Sequence, residues 1–385
     1  MHDKPFSLWR RLPWRAALCA GAMIAAPIDA FGGEWTADYS SLISATYNDN
    51  PSLVTDNAKS RTDFTVNRAV DAKYAQDRYS IDIIGQANLV ASKKEIAKGI
   101  FSKDQVRYDL NVGGNYDFET SVIAAAFGIG FDTVQNTEFA DTGILTTGVT
   151  RTNKRLNLNY NKQLSDTLGF NISDDVTVVS YSGGNFTGYR NNSLLLGFSN
   201  AYSERLTLTP SIGYSRYTPD SPVLKSSNTV RLQVGGRYEL SDKDSLGVTI
   251  GGLQTDRKLG WSALVDYRQE VGDGLVVSAN VNRDNVPSGA GNVRQSTGFG
   301  GGLTYQFAES MNVGVDASWR TSSQVGASGS ADTTQYQVAP SLNWTINEKW
   351  RAGLNLQNRH QKRPQSGAAT SNSMTVVFNY NLPAE

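Results

Sequence analysis

Nine aromatic residues, Tyr74, Tyr116, Tyr160, Tyr202, Tyr238, Tyr267, Tyr305, Trp344 and Tyr380, each close an extended segment just before a short polar turn. They recur about every 30 to 44 residues, the length of one long hairpin and its connections. A ring at the end of every second strand is what a membrane–water interface selects, because one part of it is apolar and its edge tolerates water. The spacing therefore points to a transmembrane β-barrel, with these nine residues as a periplasmic aromatic girdle.

The segments between the rings alternate with period two. Tyr79, Ile81, Ile83, Gly85, Ala87 and Leu89 interleave with Ser80, Asp82, Ile84, Gln86, Asn88 and Val90. The same texture returns around Tyr108 to Tyr116, Leu156 to Tyr160, Val230 to Leu240, Trp350 to Leu356 and Met374 to Leu382. One apolar and one polar face per strand is the pattern of a barrel wall, whereas an amphipathic helix would space its apolar residues three and four apart. Short polar turns, such as Gln76–Arg78, Ser241–Asp244 and Asn347–Lys349, alternate with connections read as longer. These include Asp49–Arg61, Gln135–Thr150, Arg257–Gly260 and Pro287–Asn292. That asymmetry fits periplasmic turns and extracellular loops, and the breaks divide the chain into about 18 antiparallel strands of about 11 to 14 residues. A propeller has a similar repeat but needs four short strands in each; these repeats hold two long ones.

Some residues strain this reading. Under strict alternation Arg68 and Asp174 fall on the apolar face, which calls for a β-bulge or a place near a rim. Pro210 and Pro340 sit inside strands, where a missing donor calls for local distortion.

Lys4, Arg10, Arg11 and Arg15 precede an apolar run from Ala16 to Ala26, with small residues around Ala30. This reads as a secretory signal peptide over residues 1–30, leaving 31–385 as the outer-membrane barrel. Cys19 would leave with the signal, so neither disulfides nor thiolate chemistry is expected. Lys+Arg and Asp+Glu both number 36. No basic stripe marks nucleic acid as a partner; the expected surroundings are outer-membrane lipid.

Catalysis finds little to stand on. Of two histidines, His2 lies in the signal and His360 sits beside Arg359, Lys362 and Arg363 at the outer end of a strand. Such a neighbourhood is a solvated basic edge more readily than a general base. No metal-ligand cluster and no cofactor pattern is evident, so the chain reads as a channel, not an enzyme.

Period-two reading assigns to the lumen Arg107, Asp109, Arg155, Arg231, Arg237, Asp266, Arg268, Glu270, Asp316, Arg320, Arg351 and Arg359. Mixed signs imply opposing charged arcs, with arginine gaining weight in the later strands. No plug domain lies between Ala30 and Trp35, which disfavours a receptor of the TonB-dependent kind. The longest connection, Gln135–Thr150, is the expected constriction.

The opening Glu34-Trp35-Thr36-Ala37-Asp38-Tyr39, leading to Tyr47-Asn48-Asp49-Asn50-Pro51, with hairpins closed by tyrosine-rich ends, resembles the beta-barrel porin type 2 family. What the resemblance implies is an outer-membrane barrel taking part in exopolysaccharide export, with polysaccharide and periplasmic export components as partners. The residues alone leave open a general or sugar-type diffusion porin and a structural or adhesive surface barrel. The chain departs from the usual terminal aromatic, ending Leu382-Pro383-Ala384-Glu385.

Overall fold

The computed structural model of the chain describes residues 33–98, 106–134, 149–325, 333–363 and 367–382. The signal-peptide segment and residues 135–148, the body of the expected constriction, lie outside the described residues.

Eighteen strands form one antiparallel sheet. They are β1 (Glu34–Asn48), β2 (Arg61–Gln76), β3 (Tyr79–Ser92), β4 (Val106–Asp117), β5 (Ser121–Thr133), β6 (Thr150–Gln163), β7 (Leu168–Ser182), β8 (Tyr189–Ala201) and β9 (Leu206–Pro219). After these come β10 (Ser227–Ser241), β11 (Asp244–Thr255), β12 (Lys258–Val271), β13 (Leu275–Ser288), β14 (Asn292–Ala308), β15 (Met311–Gln324), β16 (Thr333–Thr345), β17 (Trp350–Arg363) and β18 (Gly367–Leu382). Tyr39 of β1 lies opposite both Val70 of β2 and Leu382 of β18, so the first strand joins the last and the barrel closes. Closure removes the free edges an open sheet would expose. A short helix, α1 (Lys93–Lys98), follows β3 where the sequence reads as loop. It begins in a reciprocal cap: the Glu95 amide donates to Ser92 Oγ at 3.3 Å and the Ser92 amide donates to Glu95 Oε2 at 2.7 Å.

The registers divide every strand into an outer and an inner face. Ile43, Val66, Leu89 and Val106 follow one another around the outer wall, as do Leu232, Ile250 and Val234 further on. Many of these apolar residues are exposed. A continuous apolar exterior on a closed sheet needs a bilayer around it, and strands of 12 to 17 residues are long enough to cross one. The protein is an outer-membrane β-barrel by this architecture.

Tyr116, Tyr160, Tyr238, Tyr267, Tyr305, Trp344 and Tyr380 take outer positions at the short-turn end. Tyr74 shares that wall but is buried, packed between Trp35 at 5.1 Å and Tyr79 at 5.6 Å. Tyr202 lies past the end of β8, in the turn, and is exposed. Tyr47, Trp261, Trp319 and Tyr336 form the start of a second outer ring toward the loop end, one the alternate-strand reading does not single out.

Three expectations need correction. Register runs unbroken through Arg68 and Asp174, so neither a bulge nor a rim explains them. Both face outward near mid-strand; Arg68 Nη1 donates to Ser41 Oγ at 2.5 Å, which supplies an acceptor in place of water. The loop side is not uniformly long. Asp256 and Arg257 alone turn β11 into β12, with φ of 47° and 70°, the left-handed pair that a two-residue hairpin requires. The strands also extend beyond 14 residues, because several continue past the membrane into the loop region. At the prolines the ladder lapses on one side without a change of register. The β8–β9 pairing skips from Gly197–Ser211 to Asn200–Leu208, and the β16–β17 pairing from Val338–Asn358 to Ser341–Asn355. An absent N–H removes the rungs and leaves the alignment intact.

Candidate lumen and its constriction

Every sequence-derived lumen residue lies on the face opposite the exposed aromatics. Arg107 and Asp109 are on β4, Arg155 on β6, Arg231 and Arg237 on β10, and Asp266, Arg268 and Glu270 on β12. Asp316 and Arg320 are on β15, and Arg351 and Arg359 on β17. Many are braced. Arg107 pairs with Asp132 at 3.2 Å, Arg155 with Asp175 at 2.5 Å, Arg237 with Glu239 at 2.7 Å and Arg268 with Glu270 at 3.2 Å. Arg359 donates to Gln337 Oε1 at 3.2 Å, while Arg320 and Arg351 form no ion pair among the described residues.

The two signs occupy different arcs. On β1 to β5 the inner wall carries Glu34, Asp38, Asp63, Asp71, Asp82, Asp109, Asp117 and Asp132 against Arg61, Lys73 and Arg107. On β14 to β17 it carries Arg294, Arg320, Arg351, Arg359 and Arg363 against Asp316. The arcs are neighbours, not the opposed pair that the sequence leads one to expect: only β18, which carries no charged residue, separates them, so the field runs from one arc to the other past that strand.

Among the described residues, the end of the β13–β14 hairpin reaches into the mouth. β13 stays with β12 only as far as Ala263–Arg283, yet remains paired with β14 through Ser288–Asn292. Beyond Arg283 the strand leaves the wall and folds inward over the inner faces of β12, β11 and β10. Asp284 pairs with Arg231 of β10, and Asn285 Nδ2 donates to Thr255 Oγ1 of β11 at 2.8 Å. Tyr217 of β9 donates its hydroxyl proton to the Ser288 carbonyl at 2.9 Å, and the Thr187 amide donates to the Gly289 carbonyl at 2.8 Å. Burial agrees: the inward-facing Thr229, Leu253, Thr255 and Ser262 are only 5%, 4%, 2% and 2% exposed, values a water-filled mouth would not allow.

The tip fits because it is small. A Cβ on Gly289 would stand 2.4 Å from the Tyr181 hydroxyl oxygen and 2.9 Å from Phe186 Cδ1. Gly291 adopts φ 83°, and a Cβ there would meet Leu224 Cδ1 at 2.4 Å. Beneath the tip, Val179, Tyr189, Tyr217 and Val293 form an apolar cluster, with Tyr189 and Tyr217 rings 5.2 Å apart. Arg151 Nη2 reaches the Tyr189 hydroxyl at 3.3 Å.

Lower on the same side, a recess of ≈ 630 Å³ opens in the wall of β13 to β17, bordered by Asn280, Asn282, Asp316, Arg320, Gln337 and Arg359. Its floor is β14, whose inward Gly298 and Gly300 present no side chain, so Asn282 and Asn280 lie over them. Sequence reading found the charged members of this wall. It missed Asp284, Tyr217, Thr187, Ser288 and Gly289, since Pro287-Ser288-Gly289-Ala290-Gly291 reads as ordinary turn chemistry and names no distant partner.

No family model and no curated protein sequence matches the chain. Solved structures do match. It is similar to OccAB3 of Acinetobacter baumannii, with TM-score 0.50 at 9% identity over 91% of this chain and 100% of that one. It is similar to OccK2 (OpdF) of Pseudomonas aeruginosa, with TM-score 0.51 at 12% identity over 91% and 98%. The outer membrane protein opdK of the same organism gives 0.50 at 10% identity over 90% and 98%. At these identities the likeness is one of fold. The resemblance to the beta-barrel porin type 2 family thus rests on the opening residues and hairpin texture alone.

Proposed function

We propose that the protein is a diffusion channel of the outer membrane for small hydrated solutes, narrowed by its own β13–β14 hairpin. The observation that carries this reading is the hairpin tip held over the inner wall by the Arg231–Asp284 and Tyr217–Ser288 contacts. Below it, the recess offers amides, arginines and a carboxylate that replace part of a polar solute's hydration shell. The similarity to the outer membrane proteins named above supports the barrel on which this reading stands. Exopolysaccharide export draws on the family resemblance only, and a hairpin docked across part of the mouth suits small solutes better than a polymer.

Liposome swelling tests this. The purified barrel should admit arabinose and glucose readily, sucrose and raffinose progressively more slowly, and dextran not at all. Equal rates along the series, or no arabinose entry, would overturn it.

A further inference from the structure

The outer wall carries a charge asymmetry that transport does not use. Among the described strand residues, the inner wall holds cations and carboxylates in equal number, whereas the outward acids are Asp174 and, at a short-turn end, Asp244. Outward cations outnumber them, and three cluster toward the loop end of neighbouring strands: Lys154 on β6, Arg190 on β8 and Arg216 on β9. Lys154 and Arg190 both lie opposite Val178 of β7, on either side of it. Two strand spacings put their backbones roughly 10 Å apart. Arg190 lies opposite Thr218, and Arg216 two positions further down that strand.

All three side chains are exposed and none forms an ion pair among the described residues. Arg190 Nε donates to Asn192 Oδ1 at 3.0 Å, which steadies the guanidinium and leaves its terminal nitrogens available. Depth also fits. From Phe170 at the short-turn end of β7 to Val178 is roughly 19 Å of membrane depth at a 45° tilt. An apolar band is about 25 Å tall, so long side chains starting there reach the loop-side headgroup layer. Tyr214, just below Arg216, marks the same boundary with its hydroxyl bonded to Asn228 Oδ1 at 2.9 Å.

We propose that Lys154, Arg190 and Arg216 form a docking site on the outer wall for the phosphate groups of an anionic lipid in the outer leaflet. Arginine and lysine at this spacing match two phosphates on one headgroup, with bidentate guanidinium contacts fixing its orientation. The wall below, apolar at Leu156, Val176 and Leu194 and interrupted by the outward Asp174 opposite Leu194, receives the acyl chains to either side of that carboxylate.

Native mass spectrometry of the full barrel in detergent tests the proposal with bisphosphorylated lipid A as probe. The variant K154A/R190A/R216A should bind it roughly a hundredfold more weakly, about fivefold for each cation near a charged surface. A control, K162A/K362A, which removes outward cations elsewhere, should bind like the parent. Unchanged single-channel conductance confirms that the triple variant is folded, since none of its positions faces the lumen. Equal binding by the triple variant, equally tight binding of phosphatidylethanolamine, or displacement of the lipid by inorganic phosphate at matching concentration would each overturn the site. If the triple variant does not fold, Arg190→Gln and Arg216→Gln singly should each lose about fivefold; no loss in either would overturn it as well.

Discussion

Two neighbouring hairpins leave the membrane on the same side of this barrel and do opposite things. β11 and β12 stay paired up to Thr255–Lys258 and reverse in the two-residue turn Asp256–Arg257. β13 and β14 are paired just as fully with each other, but β13 abandons β12 above Arg283 and carries the tip into the lumen. The internal ladder therefore does not decide where a hairpin end goes. The flank decides it: rungs forgone between β12 and upper β13 are replaced by contacts to β9, β10, β11 and the β7–β8 connection. Backbone groups that leave a sheet must find other partners, and here those partners lie on the inner wall.

The comparison breaks most sharply at Gly289. Gly289→Leu places atoms where Tyr181 and Phe186 stand, at a cost of about 3 kcal/mol to docking; the hairpin should swing clear and conductance rise. Arg231→Ala strands the Asp284 carboxylate under the tip. With both groups partly exposed the loss is about 1 to 2 kcal/mol, seen as more frequent opening steps in bilayer recordings. A double-mutant cycle with Asp284→Ala should show coupling, and additive effects would contradict a direct pair. Tyr217→Phe removes the hydrogen bond to the Ser288 carbonyl, about 1 kcal/mol, and should raise flicker without changing the main conductance level. Arg257→Gly at the neighbouring turn relieves a left-handed φ and touches nothing in the lumen. Conductance should be unchanged and stability should shift by less than about 1 kcal/mol.

What could be read from the sequence follows the range of the interactions. Tyr116, Tyr160 and the other strand-end aromatics, with period-two alternation, reveal the barrel because facing lipid or water is a property of each residue alone. Parity likewise puts Arg231 and Arg359 on the inner wall. Arg68 and Asp174 were legible as exceptions, but their cause was not: Arg68 is accommodated by Ser41, and no local rule points to that strand partner. The docked β13–β14 hairpin was least legible. Its contacts join residues such as Tyr217 and Ser288, far apart in the chain, and the tip sequence is indistinguishable from a solvent-exposed turn. A hairpin this short gives no local sign of folding inward, because its partners come near only in the closed barrel; residues 135–148, in the longest connection, lie outside the described residues.

The most direct test replaces the tip Ser288–Gly291 with a minimal Asn-Gly turn and compares single-channel conductance with that of the parent in planar bilayers. If the docked hairpin narrows the pore, the shortened channel conducts substantially more and passes larger neutral sugars. Indistinguishable conductance and sugar exclusion would contradict the central claim.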